Sequence, residues 1–119
     1  MRELVKAFKA LSDETRLRIL NLLLERECCV CEVMQALDIS QTRASRNLSA
    51  LYDAGFLKLR EDGLWSLYSI DKEGMQEYFS DLVAAVSKAL EGNEIAALDR
   101  ERLKKAERIG PGCGRQLVK

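Results

Sequence analysis

Residues 40–51 have the sequence SQTRASRNLSAL, and this stretch decides the fold. Ser40 is a typical helix N-cap, and Gly55 is the usual signal that a helix has just ended. The apolar positions recur at helical spacing and form a narrow inner face: Ala44, Leu48 and Leu51. The other face carries arginine, amide and hydroxyl groups and is almost free of acid. The pattern predicts a helix over residues 41–53 with one buried side and one side suited to a polyanion.

A shorter helix is predicted just before it, over residues 30–37, with a tight turn at Asp38-Ile39 between the two. Two such helices, the second exposing arginines and amides near its N-terminus, are typical of a helix-turn-helix that enters the major groove of DNA. Arginine can bind guanine bidentately, glutamine and asparagine can bind adenine, and hydroxyls suit phosphate. The predicted DNA-binding residues of this recognition helix are Ser40, Gln41, Thr42, Arg43, Ser45, Arg46 and Asn47.

The segment after the recognition helix predicts a β-hairpin. Residues 56–60 alternate, residues 61–63 form a turn, and residues 64–70 return as a second strand. A hairpin in this place is a wing, and Lys58 and Arg60 on one side of its first strand are predicted to reach the DNA backbone. The acids at its tip, Glu61 and Asp62, oppose deep insertion. The predicted fold class is therefore mainly α with a small β-hairpin, a winged helix-turn-helix.

Composition agrees with a nucleic-acid partner. The 119 residues suffice for one hydrophobic core, and the net charge is zero. Residues 40–60, however, contain four basic side chains and one acid, which is an electrostatic footprint for DNA. We expect no membrane partner and a cytoplasmic protein, because no run approaches the ~18 apolar residues of a membrane span. The absence of histidine excludes imidazole catalysis and histidine zinc sites, and no enzyme is expected.

Four further helices are predicted, over the first dozen residues and over residues 13–25, 72–90 and 94–108. The second helix is expected to be the buried centre, with Arg16 and Arg18 on its solvent side. The apolar arc of the long helix is wider than one domain needs, which predicts a two-fold homodimer. The expected dimerisation residues are Leu4, Phe8, Phe79, Leu82 and Val86. Residues 1–91 are predicted to form the DNA-binding and dimerisation domain, and residues 92–119 a C-terminal helix with a flexible cysteine-containing tail.

Three of the four cysteines lie within residues 27–34, ECCVCEVM. Clustered cytosolic cysteines more often bind metal or sense redox state than form structural bridges. Residues two apart on a helix point about 200° apart, so we expect Cys29 and Cys31 to grip one ion only if the first helical turn unwinds. A third cysteine ligand for that ion would be either Cys28, which is expected on the same helical face as Cys31, or Cys113 in the tail.

With these motifs the chain resembles the ArsR/SmtB family of metalloregulatory repressors over about residues 4–90. The resemblance rests on five stretches, at residues 11–20, 40–48, 54–57 and 65–70 and at Cys29-Val30-Cys31. The last matches the arsenic-sensing branch, which implies a homodimeric repressor that leaves its double-stranded operator DNA when As(III) or Sb(III) binds. Met34 stands where that branch has a third cysteine, and Asn47 where it has a histidine. Without histidine, the family's zinc site on the long helix cannot form in its usual way.

Two alternatives remain within regulation: a thiol-based redox-sensing repressor and a sensor of cadmium, lead or zinc. Two others lie outside it. A dithiol oxidoreductase would use the formal C-x-x-C of residues 28–31, but that motif belongs in a βαβ setting, whereas here it lies among helices. The other is a purely structural dimer module with no DNA role.

Overall fold

The computed structural model describes residues 1–74 and 76–109. That part of the chain contains six helices and a two-stranded antiparallel hairpin. The elements are α1 (Arg2–Leu11), α2 (Glu14–Glu25), α3 (Val30–Leu37), α4 (Gln41–Asp53), β1 (Leu57–Asp62), β2 (Trp65–Ile70), α5 (Glu77–Ala89) and α6 (Glu94–Lys105). The predicted mainly α class with a small hairpin is confirmed.

Helix α2 is the centre of the fold, as its leucine-rich sequence predicts. It packs against α1, α3, α4, α5, α6 and β2, and Ile19, Leu20 and Leu22 are fully buried. Asp13 caps its N-terminus by accepting a hydrogen bond from the backbone N–H of Arg16 at 3.0 Å. Because so many elements contact α2, its apolar arc has to be wide.

Helix α4 buries the predicted inner face, since Ala44, Leu48 and Leu51 are completely inaccessible to solvent. Its end at Asp53 is fixed by the backbone of Gly55, whose φ is +99°. A Cβ atom there would lie 2.9 Å from Cε2 of Phe79. Glycine is therefore required both for the left-handed conformation and for the close approach of the Phe79 ring.

The hairpin has a two-residue loop, because Asp62 pairs with Trp65. Gly63 occupies the first loop position with φ +63°, as tight hairpin turns favour. The first strand therefore continues through Glu61 and Asp62, two of the three residues that the sequence pattern assigned to the turn. The two acids lie on the end of β1, not in the loop.

Six residues separate the end of β2 from the start of helix α5, which makes the helix shorter than the sequence pattern predicts. Asp71 accepts a hydrogen bond from the backbone N–H of Gly74 at 2.9 Å, and this side-chain cap closes a turn in place of the first helical residues. Met75, expected in the helix, lies outside the described residues.

The expected dimer face is only partly on the surface. Leu4 and Phe8 of α1 are exposed, and Leu82 and Val86 of α5 are half-buried. Phe79 instead lies in the core, stacked on Phe56 with ring centroids 4.8 Å apart. The prediction that the Phe79 side chain contributes to the dimer face was wrong, because the glycine at position 55 leaves room for the ring in the core.

Helix α6 packs against α2 and α3. Asp99, which is completely buried, accepts hydrogen bonds from Nε and Nη2 of Arg18, both at 2.8 Å. Asn21, also buried, donates to the carbonyl of Ala96 and accepts from Arg100. The prediction that Arg18 is a solvent-facing charge was wrong, because the guanidinium supplies the partner that a buried carboxylate needs.

Candidate functional site

The three described cysteines lie in the connection between α2 and α3. Cys28 is extended and forms an antiparallel bridge with Tyr68 of β2, with N–H···O distances of 3.0 Å and 2.9 Å in the two directions. Cys29 is the N-cap of α3, and Cys31 lies in its first turn. The segment is therefore held from both sides, by the wing and by the helix.

The sulfur atoms of Cys29 and Cys31 lie 3.0 Å apart. Cys29 has the extended backbone of an N-cap, with φ −87° and ψ 170°, so its side chain does not follow the helical rotation. The expectation that this pair points in opposite directions until the helix unwinds was wrong. The two sulfurs meet while α3 keeps its first turn.

Cys28 does not join that pair. Successive residues of an extended segment point to opposite sides, so Cys28 enters the main core while Cys29 packs with Cys31, Leu67, Trp65 and Ile109. The Cys28 thiol donates to the carbonyl of Arg26 at 3.5 Å. The prediction that Cys28 shares a helical face with Cys31 was wrong, because α3 begins only at Val30.

Burial sets the protonation of these thiols. Desolvation, reinforced by Glu32, raises the pKa of Cys28 from 9.0 to about 12. Desolvation and the contact with Cys31 raise the pKa of Cys29 from 9.0 to about 12 as well. Both are protonated at neutral pH, so the binding of a soft ion at Cys29 must release a proton.

A buried carboxylate organises the surroundings of the pair. Glu32 accepts hydrogen bonds from the backbone N–H of Cys29 at 2.9 Å, from Arg26 at 2.7 Å and from Arg108 at 3.0 Å. Burial by itself raises the pKa of Glu32, but these three donors together hold it below 4.5. Glu32 thus fixes the N-cap at Cys29 and ties the residues after α6 to α3.

The chain leaving α6 runs directly past Cys31. Gln35 donates to the carbonyl of Glu107 at 2.7 Å and accepts from its backbone N–H at 3.1 Å. The carbonyl of Glu107 lies 3.7 Å from the sulfur of Cys31, and Ile109 packs against the cysteine pair. Cys113 lies outside the described residues.

Sequence reasoning missed this polar frame. Glu32 stands three residues after the N-cap, which is the capping-box position and a usable signal. Nothing local identifies Arg26 and Arg108 as the partners of Glu32, or Gln35 as the partner of Glu107, since these pairs are separated by six to seventy-six positions. Among residues 1–74 and 76–109, no three cysteine or carboxylate side chains are arranged to hold a metal ion.

The recognition helix presents most of its predicted polar face. Ser40 caps α4 by accepting from the backbone N–H of Arg43 at 3.2 Å. Ser45 is half-buried, and the exposed members of the set are Ser40, Gln41, Thr42, Arg43 and Arg46. Arg43 also donates to the hydroxyl of Thr15 at 3.0 Å, which fixes its guanidinium against α2.

Asn47 lies on the buried side, with only 9% of its surface exposed. Its amide donates to the carbonyl of Arg43 at 2.8 Å and accepts from Arg16 at 3.2 Å. Arg16 also donates to the carbonyl of Ala10 at 2.7 Å. The expectations that Asn47 faces outward and that Arg16 is a free surface charge were both wrong, because the two side chains satisfy each other between helices.

On the wing, Lys58 and Arg60 are both exposed. Arg60 forms a two-point ion pair with Glu27, with Nε 3.0 Å from Oε2. This contact joins β1 to the residue just before the cysteines.

No helix within the described residues is long and apolar enough to cross a membrane.

The sequence profile described as "Bacterial regulatory protein, arsR family" matches residues 13–64, from the N-cap of α2 through the wing loop. A cadmium resistance transcriptional regulatory protein CadC homolog from Staphylococcus aureus is 41% identical over 76 residues, covering 63% of each chain. The arsenical resistance operon repressor of Escherichia coli K12 is 46% identical over 67 residues, covering 56% of this chain and 57% of that one. The chain thus matches about three fifths of the length of these two relatives.

The arsenical resistance operon repressor of Bacillus subtilis is 30% identical over 87 residues, which cover 72% of this chain and 83% of that one. Among solved structures, the homodimeric winged helix-turn-helix DNA-binding domain of Mb0332 from Mycobacterium bovis has a TM-score of 0.64 at 30% identity, covering 78% of this chain and 82% of that one. The repressor BigR from Xylella fastidiosa has a TM-score of 0.66 at 26% identity, covering 78% and 88%. The sequence match and the shared winged helix-turn-helix fold show that this chain belongs to the ArsR family of bacterial regulatory proteins.

Proposed function

We propose that this protein is a homodimeric repressor that leaves its operator DNA when Cys29 and Cys31 bind As(III) or Sb(III). The observation that carries the proposal is the sulfur pair, 3.0 Å apart at the N-terminus of the helix that precedes the recognition helix. The relatives from Staphylococcus aureus, Escherichia coli and Bacillus subtilis are named for resistance to cadmium or arsenicals, and both elements are bound by soft thiolate ligands.

The pair is close to a chelating geometry. Two sulfurs bound to one tetrahedral Zn²⁺ ion at about 2.3 Å lie about 3.8 Å apart. As(III) binds thiolates in a trigonal pyramid with narrower angles between its ligands, so its sulfurs would lie closer together than that. The pair therefore needs to separate by less than about 1 Å from the arrangement in α3. Driving an equilibrium from 99:1 to 1:99 needs about 5.5 kcal/mol, whereas thiolate-rich sites release roughly 10–16 kcal/mol when they bind zinc. Binding by sulfur therefore has enough free energy to change the DNA-bound population.

We assign the third ligand to Cys113. Ile109 packs against the Cys29 and Cys31 pair, and a further four residues span at most about 14 Å. Cys28 is directed into the main core, which leaves Cys113 as the remaining cysteine. The contacts of Glu107 with Gln35 support this route because they hold the chain beside Cys31.

We place DNA on the outer face of α4, with Gln41 and Arg46 in the major groove and Lys58 of the wing near the backbone. Arg43 keeps a fixed orientation through Thr15. The homodimer forms through the exposed apolar side chains of α1, together with Leu82 and Val86 of α5. The exposed α1 residues that would be covered are Leu4, Val5 and Phe8.

The test is fluorescence anisotropy on a duplex from the gene's own upstream DNA, titrated separately with arsenite, cadmium, zinc and peroxide. Arsenite should release the wild type but not Cys29→Ser or Cys31→Ser, and Cys113→Ser should need more arsenite. Cys28→Ser, the matched control, should respond like wild type. The assigned site would be disproved if both Cys29→Ser and Cys31→Ser left the DNA at the arsenite concentration that releases the wild type.

The sulfur separation also supports a redox-sensing repressor as a second candidate. Hydrogen peroxide would oxidise the two thiols to a disulfide. The thiols give up two electrons and two protons, which reduce one peroxide molecule to two waters. An S–S bond of about 2.05 Å requires the pair to approach by about 1 Å. Release by peroxide that dithiol reverses, with no response to arsenite, would favour this candidate.

A further inference from the structure

The wing and the cysteine segment form one structural unit. Cys28 exchanges both backbone hydrogen bonds with Tyr68, at 3.0 Å and 2.9 Å, so a single β-bridge attaches the segment to the edge of β2. The side chains of Leu67 and Trp65 on β2 pack against Cys29 and Cys31, and Leu67 is completely buried. A ligand that separates the two sulfurs would therefore push on the inner face of the wing.

An ion pair closes the same connection on the outside. Glu27, directly before Cys28, binds Arg60 of β1 through two contacts, one of them 3.0 Å between Nε and Oε2. Arg60 is the register partner of Leu67, which touches the sulfurs. A continuous set of contacts therefore links the sulfur pair to Leu67, Leu67 to its strand partner Arg60, and Arg60 to Glu27 of the cysteine segment.

We propose that the wing is the element through which the cysteine pair changes DNA affinity, and that Glu27 is the positioning residue that connects them. This inference rests on the proposed function. When the sulfurs separate, Leu67 displaces β2, and β1 moves with it because the strands are paired along their whole length. The Glu27 carboxylate makes the cysteine segment and Arg60 move together, so the basic side of β1 turns relative to the recognition helix.

The connection is strong enough to be measured but not to hold the fold. The side chains of Glu27 and Arg60 are 31% and 54% exposed. Exposed ion pairs typically change an equilibrium by up to about fivefold. The main-chain bridge at Cys28 remains when the ion pair is lost, so the coupling should weaken without disappearing.

The test compares Glu27→Gln with Glu61→Gln in the full-length protein. Glu61→Gln is a matched control because it also removes one negative charge near Arg60. The Glu61 carboxylate accepts from the hydroxyl of Ser66 and does not contact Arg60. Trp65 is the only tryptophan of the chain and packs on the cysteine pair, so its fluorescence reports arsenite binding. Anisotropy on the upstream duplex reports DNA affinity.

We expect arsenite to change Trp65 fluorescence at the same concentration in wild type and both variants. The ratio of DNA dissociation constants with and without arsenite should fall by about threefold in Glu27→Gln and stay at the wild-type value in Glu61→Gln. Arg60→Gln should lower the ratio as much as Glu27→Gln, and the double variant should lower it no further, because both changes break one contact.

Two results would overturn the inference and leave the proposed function intact: a wild-type ratio in Glu27→Gln, or an equal fall in Glu61→Gln, which would indicate a general charge effect. A wild type in which arsenite alters neither Trp65 fluorescence nor DNA binding would overturn the proposed function, and this inference with it.

Discussion

The two clusters of buried side chains that meet at the cysteine segment differ in their construction. The main core around α2 is large and apolar, and Cys28 belongs to it. The second cluster comprises Cys29, Cys31 and Leu67 with Trp65 and Ile109 at its edges, and the charged frame of Glu32 borders it. The difference teaches that neighbouring residues can serve separate purposes. The large core holds the fold, so the small cluster is able to rearrange without unfolding the protein.

Truncating one leucine in each cluster gives the largest expected effect. Leu48 and Leu67 are both completely buried, but Leu48 is enclosed by the main core. Leu48→Ala should lower the free energy of unfolding by about 3–5 kcal/mol, and Leu67→Ala by about 2 kcal/mol, because a thin cluster collapses more readily around a cavity. Urea denaturation under reducing conditions measures both. Equal losses would show that the second cluster is as rigid as the first.

Serine at adjacent cysteines tests the same division with a smaller effect. Cys28→Ser should lower the free energy of unfolding by about 1–3 kcal/mol, because it puts a hydroxyl into the main core, and should keep the arsenite stoichiometry. Cys31→Ser should lose arsenite binding. Urea denaturation and arsenic analysis of the dialysed protein give the two readouts. If Cys28→Ser lost arsenite binding and kept its stability, Cys28 would belong to the second cluster and not to the main core.

Alanine at neighbouring positions of α4 separates the surface from the interior in the same way. Asn47→Ala should lower the free energy of unfolding by about 1 kcal/mol, because Arg16 loses an acceptor. Arg46→Ala should change stability by less than about 0.5 kcal/mol and still weaken DNA binding, because the side chain is exposed. Thermal denaturation measures the stability of the two variants, and fluorescence anisotropy measures their affinity for DNA. Unchanged DNA affinity in Arg46→Ala would remove this residue from the groove.

Much of the fold follows from local patterns. The order of helices, the hairpin after α4 and the inner face at Ala44, Leu48 and Leu51 were predictable, because periodicity and capping depend on residues within about one turn. The cysteine cluster was also identifiable from the sequence, although the spacing of Cys29 and Cys31 predicted that their sulfurs would point apart. The start of α5 was not, because Asp71 closes a competing turn with Gly74. The chain pattern there suits either structure.

The inward and outward placement of polar residues was much less predictable. Asn47, Arg16 and Arg18 all looked like surface groups, yet each has a buried or half-buried partner on another helix. Arg18 and Asp99 are separated by 81 positions. Contacts of this kind arise from the packing of whole helices, and no local spacing encodes them.

The sequence by itself determined the elements of the fold and the chemistry of the cysteine segment, since both are written in side-chain type and short-range spacing. Only the tertiary structure decided that Cys28 and Cys29 enter different clusters, that the sulfurs of Cys29 and Cys31 meet above an intact helix, and that Glu27 and Cys28 join this segment to the wing. The physical reason is that an extended segment alternates its side chains, and which side meets which neighbour depends on how α3 and the hairpin pack around it.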